Sequence, residues 1–575
     1  MSRQNAALIR VLLLSGVLAL SALLQAGTSE KAAEKTKTAS EHAPRAPARE
    51  LDALFKYIDS GWRRLRRGPS EVYAAAGDPK LKEGAKRLVY VSRSENLPHV
   101  RQRLQRLLPS SEFQDLDLRT LPNPITKIKQ QGLLYLPYSY VVPGGRFNEM
   151  YGWDSYFIVL GLLDSTNPEL VELAKSMVEN HLYQIRHYGT ILNANRTYYL
   201  TRSQPPFLTQ MVLEVYRRIQ DKGWLESTMD SILDHHRYWS EGTHRTPTGL
   251  ARYYDTGKGP APEVLASEID AEGKSHYERV RAYYKEHEVR DYDESLFYDA
   301  KRDRLTSLYY VADRSMRESG FDPSSRFGPF NAGIIHYNPV CLNTLLYVME
   351  RDLAEIYTLL GKKTESASWK ARAEERKAKI EKLFWDEQSG LYLDYDFKRE
   401  KRRVYPFATT FWPLWAGIAS REHAARVVAN LPYFEAPGGL RTSRCSSGNQ
   451  WDAPFGWANL QLLAIQGLRN YGYRAEAERL SINFLSLVLK EFTEHRAIFE
   501  KYDVEDRESS TSKDVRFGYS SNEIGFGWTN AAFLRLYRDL PKHRKEEVLQ
   551  LRGVALPKAK VASLPRCGES ATSPP

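Results

Sequence analysis

Residues 143–157 read PGGRFNEMYGWDSYF, and an apolar segment, FIVLGLL, continues from Phe157 to Leu163. The two halves ask for different structures. Pro-Gly-Gly is turn chemistry, because glycine reaches backbone conformations closed to other residues. The segment from Phe157 is apolar all round and reads as the start of a buried helix. Between them Arg146, Glu149, Trp153 and Asp154 crowd against Phe147, Tyr151 and Tyr156. Packing alone gives no reason to place a guanidinium, two carboxylates and four aromatic rings at the mouth of a buried helix.

Helical periodicity continues outward from this point. Asn167-Pro168 is a cap and first-turn pair, and Leu170, Leu173, Ala174, Met177, Val178, Leu182 and Ile185 follow on one face. Leu208, Met211, Val212, Val215, Tyr216 and Ile219 repeat the same spacing, as do Leu353, Ile356, Tyr357 and Leu360. Further amphipathic helices are predicted over 369–384, 422–431, 457–468 and 475–490. Strand signals are short, RLVYVS at 87–92 and GLYLDYD at 390–396. The chain therefore reads as all-α, with one large catalytic domain over 51–540 and its function on the loops between helices. Tandem helical hairpins can close into a barrel or open into a solenoid, and no fixed-length repeat of the solenoid kind is present. After 541 the periodicity fades, which predicts a flexible tail over 541–575.

The 575 residues carry 82 Lys and Arg against 71 Asp and Glu, a formal net charge of +11. The densest basic runs, WRRLRR at 62–67 and KREKRR at 398–403, are isolated, so the charge reads as a solvated surface and not as a nucleic-acid groove. At the N-terminus Arg3 and Arg10 precede VLLLSGVLALSALL, fourteen apolar or small residues. That is too short to span a bilayer and reads as a secretory signal peptide over 1–26, followed by a disordered linker over 27–50. The expectation is a periplasmic or secreted protein without stable membrane insertion. Cys341, Cys445 and Cys567 are too few for a disulfide framework, and no Cys/His cluster has zinc spacing. His235 and His236 point to different faces of a helix and read as surface or packing residues.

Phosphate-binding, zinc-protease and serine-hydrolase motifs are absent from the sequence. What recurs is a loop that combines acids with aromatics: NANRTYYLTRSQPPF (193–207), GPAPE (259–263), RESGFDPSSRF (317–327), GNQWDAPFGW (448–457), FEKYDV (499–504) and GFGWTN (525–530). A carbohydrate site needs this inventory. Trp and Tyr rings cover apolar sugar faces, Arg, Asn, Gln and Asp bind hydroxyls, and two carboxyl groups do acid and base work across a glycosidic bond. Composition nominates nine acids, Glu149, Asp154, Glu263, Glu318, Asp322, Asp452, Glu500, Asp503 and Glu523. Each has a structural alternative as a helix cap or a loop ion pair.

PGGRFNEMYGWDSYF resembles the first signature of the glycoside hydrolase family 37 trehalases, P-G-G-R-F-x-E-x-Y-x-W-D-x-Y. QWDAPFGWANLQLLAIQGL (450–468) resembles the second, and the likeness runs over about 90–540. The resemblance implies an (α/α)6 barrel with a catalytic pocket built from loops at one end, and hydrolysis of α,α-trehalose with inversion. It places the general acid of E-S-G-x-D on Asp322 and the general base of E-K-Y-D on Glu500. Arg146, Trp153, Asp154, Asn193, Arg202, Ser203, Gln204, Glu263 and Gly320 fall on substrate-binding positions. Gln450, Trp451 and Asp452 are open to a structural or a functional role. No metal or cofactor is implied, the partner is the disaccharide alone, and a monomer is expected.

Three departures stand out. Ala261-Pro262-Glu263 replaces an Arg-Pro-Glu found in bacterial members, and Asn459 replaces a proline of the second signature. A glycine-rich lid bearing Glu-Tyr is replaced by EDRESSTSKDVRFGYSSNEI (505–524), in which Glu523 is out of register with the lid glutamate. These departures keep open an α-glucosidase of broader scope and a sugar-binding homologue without catalysis.

Overall fold

The computed structural model describes residues 45–81, 87–270, 272–511, 515, 517–519 and 521–554. The chain divides into two units, Met1–Tyr57 and Ile58–Pro575. The described residues of the first lie in a helix, Arg45–Arg64, whose first turns fall inside the stretch read as a linker. The signal-peptide reading lies outside the described residues.

Six helices form a closed ring: Asp154–Leu163, Leu208–Ile219, Val340–Leu359, Trp412–Ala416, Ala458–Asn470 and Gly527–Asp539. Each packs on the next, and the last packs back on the first. Outside them, Pro168–Tyr188 covers the first two, Lys363–Phe384 covers Val340–Leu359, and Arg474–His495 covers Ala458–Asn470 and Gly527–Asp539. The architecture is an (α/α)6 barrel, so the helical hairpins close.

The sequence explains which helix lies inside. All ten residues of Asp154–Leu163 are buried, as an apolar surface without a polar face requires. Lys363–Phe384 buries only Ala373, Arg376, Ile380 and Phe384, a single stripe at helical spacing. Each fully buried Ile or Phe on such a stripe contributes about 1.5–3 kcal/mol. The Asn167 side chain accepts a hydrogen bond from the Glu169 amide at 3.0 Å, and Pro168 occupies the first turn, as the cap pair predicts.

Sheets are small. Leu116–Thr120, Arg87–Val91 and Leu133–Leu134 form a parallel sheet in that order, with Val89 opposite both Leu118 and Leu133. The predicted strand at 390–396 is two: Leu391–Tyr392 pairs with Trp385–Asp386, and Tyr395–Asp396 pairs with Tyr337–Asn338 and Lys401–Arg402. The break is at Asp394, whose carboxylate turns aside to accept two bonds from Arg326, at 2.7 and 2.6 Å, and one from the Val340 amide. The stretch after 541, read as a flexible tail, contains a helix, Lys542–Leu551, that packs on Arg474–His495 and buries Val548. His235 and His236 are both buried, His236 against Glu350 at 3.0 Å.

Candidate active site

A cavity of about 690 Å³, solvent at its mouth included, opens among the inter-helix loops, a size suited to a small ligand. Ten of the eleven predicted site residues line it: Arg146, Trp153, Asp154, Asn193, Arg202, Gln204, Glu263, Gly320, Asp322 and Glu500. Ser203 does not. Its hydroxyl donates to the Ile191 carbonyl and its amide to Glu318 at 3.0 Å, so it ties loops together behind the wall.

The opening stretch supplies one wall. Gly145 has φ +52°, and a Cβ there would meet the Glu523 carboxylate at 2.0 Å. That close approach lets Glu523 accept from the Arg146 amide at 2.9 Å. Trp153 is 2% exposed and meets Phe157, Phe321 and Trp528 edge-on, while its amide donates to Gln204 at 3.0 Å. Gly320, at φ +75°, lets the acid-bearing loop pass the indole, since a Cβ would lie 2.8 Å from it. Asp154 opens its helix without capping it; burial, with Glu500 and Asp322 as neighbours, holds its carboxyl well above the usual range.

Asp322 stands just beyond the helix Ser307–Glu318, with its side chain 32% exposed to the cavity. Its surroundings push its carboxyl up to about 7. Burial is the main cause and Glu268 adds to it, while Arg317, 3.7 Å away, and Arg202 pull the other way. Glu500 is 2% exposed and precedes the strand Lys501–Asp503, which pairs antiparallel with Phe455–Trp457 of the second signature. Its amide donates to the Glu523 carbonyl at 2.9 Å, and its own carbonyl accepts from the Trp528 indole at 3.0 Å. Tyr519 donates its hydroxyl to Glu500 Oε1, and Lys501 Nζ lies 3.5 Å from Oε2. Burial raises the Glu500 carboxyl above its usual value against the pull of Lys501 and Tyr519.

The acids nominated by composition now separate. Glu149 is fully buried between Lys80 and Arg196, at 2.8 Å from each. Glu318 accepts from the Ser203 and Tyr254 amides and from the Tyr238 hydroxyl. Asp452 accepts from Tyr405, Ser447 and the Ser325 amide, which fixes the loop after Asp322. Asp503 accepts from the amides of Glu505 and Asp506 at 2.8 Å. These four hold loops. Gln450 bridges the two sides of the pocket, donating to the Asp322 carbonyl and accepting from Lys501 Nζ at 3.3 Å. Trp451 lines the cavity and stacks on Trp457 at 3.7 Å.

Glu268, Arg317 and Tyr519 line the cavity without having been singled out in the sequence. Arg317 stands in the RESGFD stretch and Tyr519 in the segment that replaces the lid, so both lay in quoted motifs. Glu268 had no local signal. Ala261 is fully buried and absent from the cavity wall, whereas Glu263 accepts from Arg202 inside it.

A closed ring of six helices, backed by outer helices and with an acid-lined, aromatic-walled pocket at its loops, places the chain among the (α/α)6-barrel proteins. The Trehalase family model matches residues 64–540, and the chain belongs to that family. It is 37% identical to the cytosolic neutral trehalase of Saccharomyces cerevisiae over 446 residues, 71% of this chain and 58% of that one. Against the cytosolic neutral trehalase of Pyricularia oryzae it is 36% identical over 550 residues, 84% of this chain and 71% of that one. Among solved structures, neutral trehalase Nth1 from Saccharomyces cerevisiae superposes with a TM-score of 0.71 at 32% identity, covering 87% of this chain and 96% of that one. The chain spans 58% of the length of the first of these curated relatives.

The relatives correct one expectation. They are named as cytosolic trehalases, which contradicts the signal-peptide, periplasmic and secreted readings. An apolar run behind two arginines is a pattern of composition, and hydropathy alone does not report whether an export machinery takes the chain. Among the described residues no helix is long and apolar enough to cross a membrane.

Proposed function

We propose that the protein hydrolyses α,α-trehalose to two glucose molecules by a single displacement with inversion. The observation that carries this reading is the pair of unlike carboxyls in one pocket. Asp322 is pushed up to about 7, so a large share of it keeps its proton near neutrality, while Glu500, raised by burial, has Lys501 and the Tyr519 hydroxyl beside it favouring its ionised form.

In this mechanism Asp322 gives its proton to the bridging oxygen as the bond from that oxygen to one anomeric carbon breaks. Glu500 takes a proton from a water whose oxygen bonds to the same carbon from the opposite face. One water is consumed. The attacked sugar leaves as β-glucose and the departing sugar as α-glucose, and solvent returns the proton from Glu500 to Asp322. Neither step calls for a metal or cofactor. Arg146, Asp154, Asn193, Arg202, Gln204 and Glu263 bind hydroxyls, and the Trp153 and Trp451 rings wall the sugars. Arg202 suits this role because its Nε and Nη1 have no hydrogen-bond partner among the described residues.

Proton NMR of the purified protein with trehalose, read before mutarotation, tests the reading. Equal early signals of α- and β-glucose are expected. Release of α-glucose alone would mean retention and would sink the mechanism. Cleavage of maltose without trehalose would instead assign the site to an α-glucosidase of altered specificity, with the segment that replaces the lid as the stretch to examine.

A further inference from the structure

Behind Asp322 lies a set of buried charges that the reaction above does not use. Arg317 is 5% exposed. Its Nη1 donates to Glu268 Oε1 at 2.9 Å, and its Nε and Nη2 reach the two oxygens of Asp313 at 3.3 Å. The same Nη1 stands 3.7 Å from Asp322 Oδ2. His276 lies between the two carboxylates, 3.4 Å from Glu268 and 3.8 Å from Asp313. Tyr277 donates to Asp313 at 2.8 Å and accepts from the Ala261 amide at 2.9 Å, which joins the cluster to the loop carrying Glu263.

The charges add up simply. Arg317 holds Glu268 and Asp313 below their usual values, despite burial, so both are anions at neutral pH. Those anions keep Arg317 cationic, and burial holds His276 neutral. Two carboxylates, one guanidinium and a neutral ring leave a net charge of −1 beside Asp322. Within the cluster the guanidinium is already engaged in two directions, so its pull on Asp322 is the remainder. A lone Arg at this distance would lower a carboxyl by about 1–3 pH units, and Asp322 would then lose the proton it needs.

We propose that Glu268, Asp313 and Arg317 form a positioning unit for Asp322. The two carboxylates engage the guanidinium so that Asp322 keeps its proton before cleavage, and the same guanidinium stands ready to stabilise the carboxylate afterwards. The inference rests on Asp322 as the general acid. Arg202, Asp154 and Tyr519 also face Asp322 electrostatically, Arg202 being balanced by Glu263 and Asp255. Glu268 is faced in addition by Arg146. None of these partners is altered by the test below.

The test is the pH dependence of kcat/KM on trehalose for the wild type, Glu268→Gln and Asp313→Asn. Removing either carboxylate frees Arg317 to act on Asp322, so the upper limb falls, by about one pH unit in Glu268→Gln and by less in Asp313→Asn, while the lower limb holds. A residue that merely supports the fold would reduce the rate across the pH range without moving one limb. Difference infrared spectroscopy reads the same shift without turnover, from the carboxyl C=O band that Asp322→Asn abolishes. An unmoved upper limb, or an unmoved band, in the folded variants overturns the proposal and leaves the trehalase reading standing. A wild type that does not cleave trehalose sinks that reading by itself, and the infrared titration still decides the electrostatic one.

Discussion

The two sides of the pocket hold their carboxyls by different means. Asp322 sits on a loop that Gly320 threads past Trp153, backed by an ionic cluster of Arg317, Glu268 and Asp313. Glu500 sits at the start of a strand pinned by Phe455–Trp457, the Trp528 indole and the Glu523 carbonyl, and its nearby polar partners are a phenol and an ammonium. Burial raises both groups. The difference lies in what opposes it: on the Asp322 side most of the cationic pull is spent on other anions, on the Glu500 side it is applied directly. The sharing of counter-charges is thus one means of giving two carboxyls in one pocket different tasks.

The most severe break in this comparison is removal of either carboxyl. Asp322→Asn and Glu500→Gln should each lower kcat on trehalose by about 10²–10⁴-fold, with the fold retained by circular dichroism. The two variants should then part company on α-glucosyl fluoride, whose leaving group needs no proton. Asp322→Asn should recover most of its rate on the fluoride and Glu500→Gln should not. Equal recovery by both would mean that the roles are misassigned.

Tyr519→Phe is a milder break that acts first on the Glu500 side, where the phenol makes its hydrogen bond. The phenol is held protonated by burial and by Glu500, so it is a donor throughout the working range. Its loss withdraws a bond that favours ionised Glu500, and the carboxyl rises further. The lower limb of kcat/KM should therefore move up, and kcat near neutrality should fall roughly tenfold. In the unaltered protein the profile should be a bell. Below the raised value of Glu500 the base is protonated and inactive, and above about 7 Asp322 loses its proton. A shift of the upper limb in Tyr519→Phe would show that the two sides are not independent.

What the sequence made legible follows from distance along the chain. The helix Asp154–Leu163 and its neighbour Pro168–Tyr188 are written locally, in apolar runs, a cap and a first-turn proline. Closure into a ring needs Gly527–Asp539 to meet Asp154–Leu163 across most of the chain, and periodicity carries no such information. At the site, Asp322 and Glu500 stand in the short motifs E-S-G-x-D and E-K-Y-D and are placed by resemblance. Glu268 could not, because its role depends on a guanidinium from a separate helix. The N-terminal apolar run shows the converse, since a local pattern of hydropathy carries no cellular address.

Ser203 gives the smallest expected effect and tests how far resemblance reaches. Its neighbours Arg202 and Gln204 line the cavity, but its hydroxyl faces the Ile191 carbonyl and its amide faces Glu318. A residue that bound sugar through its hydroxyl would raise KM when truncated. Ser203→Ala should instead keep KM for trehalose within about twofold and cost about 0.5–1.5 kcal/mol of stability through the lost buried bond. Thermal unfolding and initial rates separate these outcomes. A large rise in KM with unchanged melting would return Ser203 to the binding set and would mean that the loop carrying Arg202 and Gln204 rearranges around the disaccharide.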